Sequence, residues 1–237
     1  MVIRYTESQI QKLREYGDGP VDESEFSDYG ERDKAFTKLM AAEISTNDSE
    51  IKDMIKNPKG HDLVQLERDL SKALIDLGFI EVRTPTMMSK AALEKMTIDE
   101  NHPLYRQVFF IDKKRCLRPM LAPNLYYYME KLRDHTDTII RFFEIGSCFR
   151  KESHSGRHLE EFTMLNLVVQ GQIDDPVAEL RKLIDAVMKV IDLDYETVRE
   201  ESDVYVETLD VEVNGVEVAS GAVGPHKLDA AHNIHEP

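Results

Sequence analysis

Two apolar stretches constrain this chain more than any others. They are TIIRFFEIGSCFR, Thr138–Arg150, and EEFTMLNLVVQG, Glu160–Gly171, separated only by a polar loop. Both are rich in aliphatic and aromatic residues, so they read as two long strands joined by the loop. A lone hairpin of this kind is marginal in water and needs further strands or helices over its apolar face. In the second strand, alternation places Phe162, Met164, Asn166, Val168 and Gln170 on one face. Asn166 therefore sits among apolar neighbours. A buried amide without partners costs roughly a few kcal/mol. It is either a satisfied core asparagine or a polar hook in an apolar ligand pocket. Arg150 ends the first strand with a permanent charge and a planar donor fork suited to phosphate. Its plainer role is a salt bridge to Glu152 or Glu161. Ser153, His154, Ser155, Gly156, Arg157 and His158 follow, a flexible donor-rich loop that can close over a polyphosphate.

The rest of the chain is punctuated clearly. Thr6 and Gln9 fit a capping box, Tyr5 and Ile10 a hydrophobic staple, and Gly17 a stop, which predicts a short helix. GDGPVDESEFSDYG reads as a linker. A short helix from about Glu31 to Ile44 follows, and another from near Ser49 to Pro58. Leu63, Leu66, Leu70, Leu74 and Leu77 form one stripe of an amphipathic helix that Gly78 terminates. FIEVRTP, QVFFID and CLRPM read as strands, and PNLYYYMEKLRD as a helix with Pro123 in its first turn. On that helix Leu125, Tyr128, Met129 and Leu132 make a stripe suited to ordinary core packing. Tyr126 falls off it and needs another surface, which a ligand pocket would supply. Asp175 and Pro176 start a helix to about Ile191. Asn-Gly inside LDVEVNGVEVASGAV is a strong hairpin signal. Helices first and hairpins with inserted helices afterwards predict an α+β fold. Neither a Rossmann nor a P-loop glycine motif occurs.

On the last hairpin, Glu217 shares a face with Ala219 and Gly221. Glu217 and Ser220 face the same way only if the strand bulges. Carboxylate and hydroxyl oxygens suit Mg²⁺, although an exposed strand glutamate is the simpler reading. His154 and His158 lie in a loop and do not form a helical zinc site. His226, His232 and His235 lack the cysteine or patterned acid of a metal site. Cys148 has no evident base partner and reads as a buried structural thiol.

With 237 residues there is enough chain for one sizeable core. The net charge of -15 argues against a broadly basic nucleic-acid surface. Two local clusters remain, Lys113, Lys114, Arg115 and Arg118, and Arg4, Lys12 and Arg14, either of which is a basic face or ordinary solvated surface. No apolar run approaches the roughly 20 residues of a membrane helix. The N-terminus has no signal-peptide core, and two cysteines form no disulfide framework, so the cytoplasm is the expected compartment.

GFIEVRTP, with Gly78 and Pro85, resembles motif 1 of the class II aminoacyl-tRNA synthetases. FEIGSCFRKESHSGRHLEEFTMLN, with Arg150 and Phe162, resembles their motif 2. LRPMLAPNLYYYM, EIGSCFRKES, HLEEFTMLN and DAAHNIHEP are similar to the pyrrolysyl branch of that family, in its short form without a separate N-terminal domain. The resemblance implies an antiparallel sheet flanked by helices, with residues 1–58 as a helical tRNA-contacting extension and 59–237 as the catalytic core. It implies a homodimer built partly on motif 1, ATP and Mg²⁺, an amino-acid substrate, and a cognate tRNA, the pyrrolysine suppressor tRNA. By the same resemblance, Arg150 holds the α-phosphate and the carboxylate end of the adenylate. Glu152, Leu159 and Val218 lie near the nucleotide, His158 lies by the outer phosphates, and Phe162 stacks on adenine. Glu217 and Ser220 hold Mg²⁺ and phosphate. Asn166 takes the amide carbonyl of pyrrolysine. Leu121, Ala122, Leu125, Tyr126, Met129, Val168 and Ala222 line the pocket, which Tyr205 caps.

The resemblance points to a pyrrolysine–tRNA ligase. Two alternatives stand beside it: a synthetase-like module that dimerises or binds tRNA without catalysis, and an amino-acid ligase of the same fold without a tRNA partner. In the family, a glycine-rich strand and the motif 3 arginine helix follow the segment at which this sequence ends. Residues 1–237 on their own are therefore expected to show little adenylation. ATP–pyrophosphate exchange checks this, and robust exchange by this segment alone would overturn it.

Overall fold

The computed structural model describes residues 2–17, 21, 24–136, 138–151, 159–200, 205 and 207–224. The chain divides into two compact units. One comprises Met1–His61 with Glu152–Leu159, the other Asp62–Lys151 with Glu160–Pro237.

In the first unit, α1 spans Glu7–Tyr16 and α2 spans Tyr29–Lys56. The capping box at Thr6 is formed in both directions: Gln9 N–H donates to Thr6 Oγ1 at 3.2 Å, and Thr6 N–H to Gln9 Oε1 at 3.0 Å. Tyr5 packs edge-on against Phe26, with ring centroids 4.8 Å apart. The two short helices expected over 31–58 are one continuous helix, α2. Ser45, Thr46, Asn47 and Asp48, just before the start expected near Ser49, are cap-type residues. No Gly or Pro stands between Gly30 and Pro58, however, and each polar residue costs less than about 1 kcal/mol inside a helix. Asn47 instead turns its amide to the end of α1, donating to the Tyr16 carbonyl at 3.0 Å.

In the second unit, α3 spans Asp62–Asp76 and ends at Gly78, whose φ of +86° suits a residue without Cβ. The strand β1 follows as Ile80–Glu81 only. It pairs in parallel with β4, Ile140–Phe149, which pairs antiparallel with β5, Glu161–Gln170, from Ile140↔Gln170 to Phe149↔Glu161. This sheet is therefore mixed, not wholly antiparallel. A parallel neighbour needs a long connection. Here it contains β2 (Met87–Ser89), α4 (Lys90–Lys95), β3 (Arg115–Leu117) and α5 (Ala122–Arg133). QVFFID forms no strand: Phe110 makes only an isolated bridge to Cys116. Asp112 ends the run by accepting from the N–H groups of Lys114 and Arg115, and this turn leads into β3. The short β2, which pairs with β3, was not legible as a strand.

α6 spans Pro176–Ile191 behind its Asp175 cap. The third sheet runs in the order β6 (Glu196–Glu200), β7 (Glu207–Val213), β8 (Val216–Val223). Asn214 and Gly215, at φ +52° and +70°, make the expected tight turn between β7 and β8. Leu70, Leu74, Phe79, Phe143, Ile145 and Leu183 pack α3 and α6 against one face of β4. Phe142, Ile140 and Cys148 turn to its other face, where Leu121 and Leu125 of the α5 segment meet them.

The continuity of α2 is open to a direct check. In a helix beginning near Ser49, proline at position 50 would occupy the tolerated first turn. Inside a continuous helix, Glu50→Pro is expected to cost about 3 kcal/mol or more. Urea unfolding with a circular-dichroism readout distinguishes the two.

Candidate active site

Arg150 stands where β4 meets the polar loop. Its N–H donates to the Glu160 carbonyl at 3.0 Å, which closes the mouth of the hairpin. Its Nε donates to the Pro119 carbonyl at 2.9 Å. Its guanidinium carbon lies 5.2 Å from the centre of the Phe162 ring, within cation–π range. Among the described residues no carboxylate pairs with it, so the Glu161 salt bridge of the plainer reading is not formed. Among the described residues, only Nε of this half-buried guanidinium has a hydrogen-bond partner.

The face of β5 behind Phe162 carries Met164, Asn166, Val168 and Gln170, as alternation requires. Leu121, Leu125, Met129, Phe162 and Val168 join one apolar cluster with Ile140, Phe142 and Cys148. Four of the expected pocket residues, Leu121, Leu125, Met129 and Val168, thus pack together beside Phe162. Tyr126, off the helical stripe, is turned inward and only 8% exposed. Ala122 opens α5 and is half-buried. Asn166 is half-buried and its amide makes no hydrogen bond to a described residue.

On the same side of the sheet, β4 contributes a polar network. Glu144, opposite Asn166 in register, is 0% exposed, and Arg118 is 2% exposed. Arg118 Nη1 donates to Glu144 Oε1 at 2.6 Å and to Thr84 Oγ1 at 2.9 Å, and Nε donates to the Ser147 carbonyl at 2.7 Å. Thr84 donates from its N–H and its hydroxyl to the two Glu144 oxygens, at 3.0 and 2.7 Å. Asn124 Nδ2 donates to Thr84 Oγ1 at 3.1 Å and to the Pro85 carbonyl at 3.0 Å. Arg118 therefore does not belong to the solvated basic cluster of Lys113, Lys114 and Arg115. The legible signal was Glu144 itself, a lone carboxylate between Phe143 and Ile145 that must find a buried partner.

On the last hairpin the register runs Asp210↔Ser220 and Val211↔Ala219, then jumps to Glu212↔Glu217. Val218 is the extra residue of a bulge, and it is exposed. The bulge meets the stated condition: Glu217 and Ser220 lie on one face, with Asp210 and Glu212. Ala222, paired with Thr208, shares that face. Gly221 lies on the other, where an added Cβ would come within 2.6 Å of Leu180 on α6. Among the described residues no three His, Cys, Asp or Glu side chains converge on a metal position. Glu217 and Ser220 supply hard oxygen donors but not a complete set, which fits Mg²⁺ held partly by phosphate oxygens.

The family-level comparison is decisive. The solved pyrrolysyl-tRNA synthetase from Desulfitobacterium hafniense matches with a TM-score of 0.87 and 42% identity, over 99% of this chain and 85% of that one. The chain belongs to the pyrrolysyl-tRNA synthetase family. A family model described as the phenylalanyl tRNA synthetase beta chain CLM domain also matches residues 51–234, placing the same segment among aminoacyl-tRNA synthetases. Similarity extends to threonine–tRNA ligases. That of Nitrosomonas eutropha is 28% identical over 144 residues, and that of a Wolbachia pipientis strain 32% over 99 residues. These matches cover 56% and 39% of this chain, and 22% and 15% of the two ligases. The fold is the α+β catalytic fold of class II synthetases.

Several expected members of this synthetase site are placed less fully. Glu152 and His158 lie outside the described residues. Leu159 is 69% exposed. Tyr205 is described only as a half-buried residue between undescribed neighbours. Cavities of about 480 and 240 Å³, lined by Ser27–Lys38 and by Lys90–Tyr105, include none of the expected site residues. No helix among the described residues is long and apolar enough to cross a membrane.

Both thiols are unreactive by placement. Burial pushes Cys148 up to about 11, against a partial downward pull from Arg118 and Arg150. Burial alone pushes Cys116 up to about 11. At pH 8 both stay protonated and covered, so iodoacetamide is expected to label neither until the protein unfolds. Mass spectrometry of native and urea-treated samples reads this, and fast native labelling of Cys148 would contradict it.

Proposed function

We propose that this chain carries the adenylate-forming site of a pyrrolysine–tRNA ligase, which joins pyrrolysine or a similar long Nε-acylated lysine to a suppressor tRNA. The observation that carries the reading is Arg150. It is held by Pro119 and Phe162 at the head of the strand face that carries Asn166, whose amide makes no hydrogen bond to a described residue.

In the first step the amino-acid carboxylate attacks the α-phosphorus of ATP. A carboxylate O–P bond forms, the bond to the bridging oxygen breaks, and pyrophosphate leaves. Arg150 would hold the α-phosphate and offset its developing charge, while Phe162 stacks on adenine. Glu152, His158, Leu159 and Val218 are assigned to the nucleotide on family resemblance. Bound Mg²⁺, held by Glu217 and Ser220, would neutralise phosphate charge. Leu121, Ala122, Leu125, Tyr126, Met129, Val168 and Ala222 would enclose the aliphatic side chain, with Tyr205 over it. Asn166 would donate to the acyl carbonyl. In the second step a ribose hydroxyl at the tRNA 3′ end takes the acyl group and releases AMP. No side-chain base is required, since positioning and charge neutralisation do most of the work.

The same reading makes the protein a cytoplasmic homodimer. Leu63, Val64, Ile75 and Leu77 of the α3 segment and Ile80 of β1 are exposed apolar residues suited to a second copy. Exposed Lys12 and Arg14 on α1 would face tRNA, whereas Arg4 is engaged by Glu25 at 2.8 Å.

In the full-length protein, Asn166→Ala is expected to cut discrimination between a long Nε-acylated lysine and smaller amino acids by about tenfold, the worth of one good hydrogen bond. Amino-acid-dependent ATP–pyrophosphate exchange measures it. Unchanged discrimination would sink the assignment of Asn166.

A further inference from the structure

The buried Arg118–Glu144 pair lies between the two halves of the site and touches the supports of both. On the nucleotide side, the Arg118 carbonyl accepts from Phe149 N–H at 2.9 Å, one residue before Arg150. The next carbonyl, that of Pro119, is the acceptor for Arg150 Nε. On the amino-acid side, Glu144 lies opposite Asn166. Thr84, bonded to both members of the pair, accepts from Asn124 in the first turn of α5, the helix that carries Leu125, Tyr126 and Met129.

The local backbone is shaped for the guanidinium. Gly146 sits inside β4, where glycine weakens a strand and marks a close approach. A Cβ there would lie 2.3 Å from Arg118 Nη2. A buried ion pair is often replaceable by apolar side chains without loss of stability. Holding the fold together is therefore a weak reason for this chain to carry one. The fork geometry of Arg118 reaches Ser147, Glu144 and Thr84 at once, and a lysine could not reproduce it.

From this we infer that Arg118 and Glu144 are positioning residues that set Arg150 against Asn166, so that the phosphate and the amino-acid carboxylate meet in line. The inference rests on the ligase reading above and adds to it a coupling between the two subsites. Neither residue touches a reacting atom.

The test uses the full-length enzyme with the double variant Arg118→Met/Glu144→Leu, which removes the pair without leaving a lone buried charge, and with Arg118→Lys. Thermal melting gives the folded state, and ATP and amino-acid affinities are measured separately by calorimetry. Activity is ATP–pyrophosphate exchange per folded molecule, read below the melting range of each variant. The double variant is expected to melt close to wild type and to bind each ligand within a few-fold. Its kcat should fall about a hundredfold, the scale that misplacement of about 1 Å produces. Arg118→Lys should lose kcat in the same way. A folded variant with wild-type kcat would overturn the positioning role, as would a loss that merely follows the folded fraction. An inactive wild type would refute the ligase reading itself, whereas an active wild type with an equally active variant refutes only the positioning role.

Discussion

The interaction that sets the arrangement around the candidate site is the ion pair between Arg118 and Glu144. Neither group is solvated, so each is tolerable only because the other is present. Removing one alone leaves an uncompensated charge, at a cost of about 3–5 kcal/mol. The pair also explains why segments remote in sequence meet. Thr84 follows β1, Arg118 follows β3, Asn124 opens α5 and Glu144 lies in mid-β4, yet one hydrogen-bonded group joins all four. A mixed sheet, an irregular crossover and a helix are thereby locked in one arrangement.

β4 divides the labour of the core between its two faces. Phe143 and Ile145 bind the strand to α3 and α6, a purely apolar contact. Phe142, Glu144, Gly146 and Cys148 point the other way, toward α5 and the candidate pocket. The first face gives cohesion. The second combines apolar walls with a few fixed polar groups, the usual make-up of a small-molecule site. Arg150 and Phe162 stand at its loop end, and Asn166 stands midway.

Legibility tracked the range of the forces involved. The capping box at Thr6, the stop at Gly78, the Asp175 cap, the Asn-Gly turn and the two long strands are set by neighbours a few residues apart, so periodicity and punctuation revealed them. The break expected in α2 failed because cap-type residues are also tolerated mid-helix when a packed neighbour such as α1 accepts their side chains. QVFFID looked like a strand but found no partner beyond one bridge, since a strand exists only where another edge accepts its hydrogen bonds. The three residues of β2 were too few to show alternation.

For the site the division is similar. The residues alone nominated Arg150, Asn166, Glu217 and Ser220, because a fixed cation, an amide among apolar neighbours and clustered oxygen donors are conspicuous in their own strands. Their family resemblance supplied roles for them. Whether Glu217 and Ser220 share a face turned on one extra residue at Val218, a matter of register with β7. Whether Arg118 was a surface charge or a buried one turned on Glu144, 26 residues away. Local pattern determines which side chains are available and which way a strand turns them. Only tertiary packing decides which charges lose water, and a charge that loses water must be met by a partner that the chain brings from far along its length.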